Sequence, residues 1–150
     1  MSNPVNSAEQ LLKAYASGQR EFAKSNLSGA SLSGVDLSGI DLSGANLQGV
    51  DLRESNLSRA NLAHADLRGA RLRRTNLIGA NLKEADFRGA NMYRAKLNKA
   101  NLSGADLNKA DLRIGADLRE AEIAGTNFKG AFYDEYTKFP DGFSPPEAGM

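Results

Sequence analysis

The sequence predicts an all-β fold in which the chain winds as a polygonal coil, a solenoid with one short side and one corner in every five residues. Three observations predict it. Large apolar residues occupy every fifth position from Leu27 to Leu112, 18 positions in a single frame. After one extra residue near Ile114–Gly115 the frame resumes at Leu118, Ile123 and Phe128, so residues 25–130 hold 21 units. Two residues before each of these stands Ala, Val, Ile, Ser or Thr, and a spacing of two puts both side chains on one face of a short extended segment. Eleven of the 15 glycines close a unit, where a tight bend is expected. A period of five fits neither the 3.6 of a helix nor the alternation of a long strand.

Residues 1–24 precede the repeats and carry one helix signal. Ser7 with Gln10 reads as a capping box, Leu11, Leu12 and Tyr15 form an apolar stripe, and Gly18 is a stop, so a short helix over 7–17 is expected to cap the upper end. Residues 25–130 are the solenoid itself. Residues 131–150 form the aromatic cap and tail, and with Phe128 of the last unit, Phe132, Tyr133, Tyr136, Phe139 and Phe143 gather six of the ten aromatic residues at the lower end. The closing stretch with Pro140, Pro145 and Pro146 is expected to be irregular and extended. An open solenoid leaves unpaired backbone at both ends, so each end needs cover.

The repeated A-(N/D)-L-x-x unit resembles the pentapeptide-repeat proteins, and both flanks are similar to those of cyanobacterial members. The resemblance implies a right-handed quadrilateral β-helix with four units per turn. On that geometry the units make about five coils, a rod roughly 25 Å long at about 4.8 Å per coil.

Composition narrows the function. With 150 residues there is room for one domain, and 19 Lys+Arg against 18 Asp+Glu leave a formal charge of +1. No cysteine and a single histidine, His64, argue against thiol chemistry and against a zinc or haem site. The N-terminus lacks the basic-then-apolar build of a signal peptide, and no apolar run reaches membrane-spanning length. A cytoplasmic protein without cofactor and without membrane attachment is the expectation. A packed Leu/Ala rod with convex sides offers no cleft, so an enzyme is not expected. The many outward Asn and Asp residues lack the Gly-Gly-x-Gly-x-Asp pattern of calcium-binding rolls and are read as bonding nearby backbone.

The arginines carry the functional signal. If four units make a turn, residues twenty apart stack, and Ser33, Arg53, Arg73, Tyr93 and Arg113 form a column. Arg71, Arg74 and Arg94 share that face, while Arg68 and Arg88 extend it to the previous one. Arg53, Arg73, Arg74, Tyr93, Arg94 and Arg113 are therefore the candidate partner-binding residues, suited to an acidic protein surface. Solvated surface balanced by its own carboxylates is the competing reading. Some members of the family mimic DNA and act on DNA gyrase through a strongly acidic rod. Residues 26–129 instead carry 15 basic against 12 acidic side chains, which disfavours mimicry, and +3 is small for binding DNA itself. The aromatic end leaves a monomer with a plugged base or an end-to-end dimer, and the proline-rich tail favours the plug. The role of the six-residue unit at 111–116 stays open.

Overall fold

The computed structural model describes residues 3–149, of which residues 21–138 form one parallel β-ladder wound into a rod. Each unit contributes a single bridging residue, usually the outward Asn or Asp. Asn26 pairs with Asn46 and Asn46 with Asp66, and the offset stays at twenty residues from Glu21–Asp41 to Asn91–Asp111. Four five-residue units thus complete each turn. The leucine amide donates to the coil below and the outward residue's amide to the coil above, as in Leu27 N to Asn46 O at 2.8 Å and Asn46 N to Ser25 O at 2.9 Å.

The corner follows from the same regularity. Ala30 N donates to Leu27 O at 3.0 Å across a turn in which Gly29 has φ +68°, the type II pattern. The winding, not the residue, imposes this conformation. Glu54, Arg59, His64, Arg74, Glu84, Arg94, Lys99, Lys109 and Glu120 adopt φ between +55° and +66° at the equivalent position. Each non-glycine residue held there costs about 1 kcal/mol. The outward Asn and Asp side chains brace the corners as expected from the sequence: Oδ1 accepts the amide two residues on, at 3.0 Å for Asp36–Ser38 and 2.9 Å for Asn101–Ser103.

The apolar frame is the core. The central residues from Leu27 to Leu112 are shut away from solvent, as is Leu118. Ser25, Ser55 and Thr75 occupy the small position, and each is satisfied: Ser25 Oγ accepts Val5 N, and the hydroxyls of Ser55 and Thr75 both donate to Leu52 O. The ladder reaches one unit beyond residues 25–130 above, with Phe22 filling a core position, and two units below, with Phe132 pairing with Asp111 and Lys138 with Asp117.

At the upper end, α1 (Ala8–Ala16) begins at Ser7, whose hydroxyl accepts Gln10 N, while Gln10 Oε1 takes Asn6 N rather than the Ser7 amide. Leu11 is buried, and Tyr15 donates its hydroxyl to Ser38 O at 2.7 Å. At the lower end, Phe128, Tyr133, Phe139 and Phe143 cluster with ring centroids 5.0–5.9 Å apart. Tyr133 donates to Pro146 O, and Gly149 N pairs with Ala131 O. Two members of the expected aromatic group lie elsewhere: Phe132 sits beside Arg113, and Tyr136 is exposed.

From Lys96–Asp117 to Asp117–Lys138 the pairing offset is 21. The extra residue at Ile114–Gly115 is answered one turn below by a second six-residue unit, residues 132–137, so the widened corner is stacked on another widened corner. Thr137 confirms the register by donating to Leu112 O, as Thr126 does to Leu102 O and Thr75 to Leu52 O.

Candidate partner-binding face

The bridges Ser31–Asp51, Asp51–Arg71, Arg71–Asn91, Asn91–Asp111 and Asp111–Phe132 bring the predicted column together. Ser33, Arg53, Arg73, Tyr93 and Arg113 stand one above another, with Arg74 and Arg94 at the adjoining corners.

Their electrostatics are uneven. Wherever the sequence reads Asp, apolar, Arg, the two charged side chains point the same way along the short segment and close a bidentate pair. Arg53 with Asp51, Arg68 with Asp66, Arg88 with Asp86, Arg113 with Asp111 and Arg119 with Asp117 all show Nε to Oδ1 at 2.9 Å and Nη2 to Oδ2 at 2.6–2.7 Å. The guanidinium of Arg53 holds the Asp51 carboxyl down to about 2, and Arg119 does the same to Asp117. Burial raises the Asp111 pKa, but its hydrogen bonds from Arg113 outweigh this and leave it lowered. Arg113 is held further, donating to Tyr93 Oη at 3.1 Å and lying 5.6 Å from the Phe132 ring centroid.

Two of the three arginines in the column are thus committed to intramolecular partners. Arg73 is not, because the residue two before it is Arg71. Among the described residues, the side chains of Arg71, Arg73 and Arg94 make no hydrogen bond or ion pair, and Arg74 meets Glu54 only at 4.0 Å. Arg68 and Arg88 do not extend a basic patch: they interleave with Asp66, Asp86 and Asp106 in a closed ladder, with cross-coil distances of 3.8 and 3.9 Å. His64 stands at an exposed corner with Nδ1 3.1 Å from Glu84.

The expectation of featureless convex sides needs amending. Long side chains rising from this face enclose shallow grooves. One of about 310 Å³ lies between Ser33, Arg53, Glu54 and Arg73. A second of about 290 Å³ is lined by Arg73, Arg74, Tyr93, Arg94 and Ile114, and a third of about 390 Å³ by Arg94, Ile114, Gly115, Glu135, Tyr136 and Lys138. Arg73 lines both the first and the second, and Arg94 and Ile114 line both the second and the third, so the grooves follow one another down the rod. Ile114, Tyr136 and Lys138 were missed as site residues in the sequence; the extra residue at Ile114 was the available signal.

These features define a class, the β-solenoid built from tandem five-residue units. The model described as pentapeptide repeats matches in 8 copies, over residues 21–59, 55–92 and 75–113, and the chain belongs to the pentapeptide-repeat family. Among solved structures, a pentapeptide-repeat protein of the Arabidopsis thaliana thylakoid lumen is 38% identical, with 69% of this chain and 68% of that one covered and a TM-score of 0.55. Rfr23 from the cyanobacterium Cyanothece is 28% identical over 87% of this chain and 97% of that one, with a TM-score of 0.65. HetL, a protein of the cyanobacterium Nostoc involved in heterocyst differentiation regulation, is 30% identical over 83% and 71%, with a TM-score of 0.47. None of the curated proteins matches.

Proposed function

We propose that this chain is a non-enzymatic interaction module: a rigid right-handed rod of about five coils, closed above by α1 and below by the aromatic cluster, that binds another protein in the cytoplasm. The binding surface is the face carrying Arg53, Arg73, Arg74, Tyr93, Arg94 and Arg113. The observation that carries this reading is the contrast between Arg73 and Arg94, whose guanidinium groups make no hydrogen bond or ion pair among the described residues, and the clamped arginines around them. A merely solvated face would be expected to balance its cations throughout, as the neighbouring Arg68–Arg88 ladder does. The aromatic cluster and the pairing of Gly149 with Ala131 support a monomer over an end-to-end dimer.

The test is affinity capture from native lysate with wild type and the Arg53→Glu/Arg73→Glu/Arg113→Glu variant. A protein held by wild type and lost by the folded variant supports the module and its surface. Equal retention by both sinks the surface, and specific retention by neither sinks the module. A gyrase or DNA-associated role would instead show as altered supercoiling or salt-sensitive DNA retention.

A further inference from the structure

We infer that the widened corner at Ile114 is the anchor of a docking groove for an extended, acidic protein segment carrying one large apolar side chain; this deepens the interaction-module reading and rests on it.

Ile114 bears two costs that the fold does not require of it. It is a β-branched residue at φ +63°, a conformation that L residues avoid and β-branched ones avoid most. The residue is also 43% exposed. Glycine, which closes eleven other units, would remove both costs. Tyr136, 61% exposed, borders the same groove from the coil below, and these two are the only exposed large apolar side chains among the described residues. The pair is held in place rather than loose. Asp134 accepts Ile114 N at its Oδ2 and Tyr136 N at its Oδ1, both at 3.0 Å, so one carboxylate fixes both widened corners. Pre-organisation of this kind lowers the ordering cost of binding.

The rim sets the charge of the occupant. Arg73, Arg74, Arg94 and Lys138 border the grooves that meet at Ile114, against Glu135. Glu54 stands between Arg53 and Arg74, 4.0 Å from the latter, and Asp134 is already engaged with the two corner amides. Arg113 is withdrawn onto Asp111 and Tyr93 and serves as frame. A cationic rim around an aliphatic centre suits carboxylates flanking an apolar side chain. A nucleic acid could use the cations and stack on Tyr136, but it would leave the strained, exposed Ile114 without purpose. From Arg73 through Arg94 and Ile114 to Tyr136 the two grooves that share Arg94 and Ile114 span three coil steps, roughly 14 Å, the reach of about four extended residues.

Fluorescence anisotropy tests this with short fluorescein-labelled peptides of alternating Asp and Glu that carry either Leu or Ser at the centre, and with a labelled oligo-dT of similar length. Wild type is expected to bind the Leu peptide about tenfold more tightly than the Ser peptide. Ile114→Gly should weaken the Leu peptide about tenfold, leave the Ser peptide unchanged, and melt no lower than wild type. Arg73→Glu/Arg94→Glu should lose both peptides. Equal affinity for the two peptides, indifference to Ile114→Gly, absence of peptide binding by wild type, or preference for oligo-dT would each overturn the inference. Should a lysate partner be lost by the arginine variant but kept by Ile114→Gly, the interaction module would stand and this groove would fall.

Discussion

The coils above Ala110 and the last coil below it solve the same problem with different materials. In the upper coils every side is five residues long, the offset between stacked residues is twenty, and leucine shuts the core. Below, the offset grows to 21 and two sides lengthen to six residues. Ile123 is left half-buried, and aromatic rings fill space that no further coil covers. In the interior of the stack each unit is satisfied by identical neighbours, so five residues suffice. At the end one neighbour is missing, and bulky side chains must replace it.

The largest expected effect separates these regions directly. Leu72→Lys places a charge where there is neither water nor a partner, a penalty of several kcal/mol, and should abolish the cooperative thermal transition. Ile123→Lys, where the ammonium can reach solvent, should keep the transition and lower Tm modestly. Equal tolerance of the two, measured by circular dichroism, would remove the distinction between a closed and an open coil.

A smaller effect tests the corners. Arg59 sits at φ +56° with no glycine to relieve it, and Arg59→Gly should raise stability by about 1 kcal/mol. Gly79→Ala should lower it, since φ is +69° and the added Cβ would lie 3.3 Å from Arg59 Cγ. Chemical denaturation of the two variants should give shifts of opposite sign.

The smallest effect is electrostatic. Asp51 and Asp117 titrate at about 2 in the folded rod, below the ordinary carboxylate range. A depressed folded pKa adds stability that is complete above the ordinary pKa and lost as pH falls through the folded value. Tm should therefore decline between about pH 4 and pH 2. Asp51→Asn/Asp117→Asn should flatten part of that decline and no more, because the guanidinium partners are half-exposed.

How legible each feature was in the sequence follows from how many residues repeat it. The core from Leu27 to Leu112 was readable because one inward position recurs without interruption. The first six-residue unit was readable because Leu118 restores the frame after Gly115. The second was hidden: Phe132, Tyr133 and Tyr136 supply large side chains at inward and outward positions alike, and no glycine marks its corner. The arginine column was readable from the fourfold register, but its division was overlooked. Asp51-Leu52-Arg53 and Asp111-Leu112-Arg113 write their ion pairs into the chain, as Arg71-Leu72-Arg73 writes the lack of one. The stacking that sets Tyr136 beside Ile114 needed the second insertion, and so needed the structure.

Residue-resolved hydrogen exchange tests the contrast between closed and open coils most directly. The amides of Leu52, Leu72 and Met92 donate to Arg71, Asn91 and Asp111 at 2.7–2.9 Å inside the stack. Among the described residues, those of Ile123 and Phe128 face the lower edge without a backbone acceptor. The first group should exchange only through global unfolding, and the second orders of magnitude faster. Uniform protection from Leu52 to Phe128 would contradict that contrast.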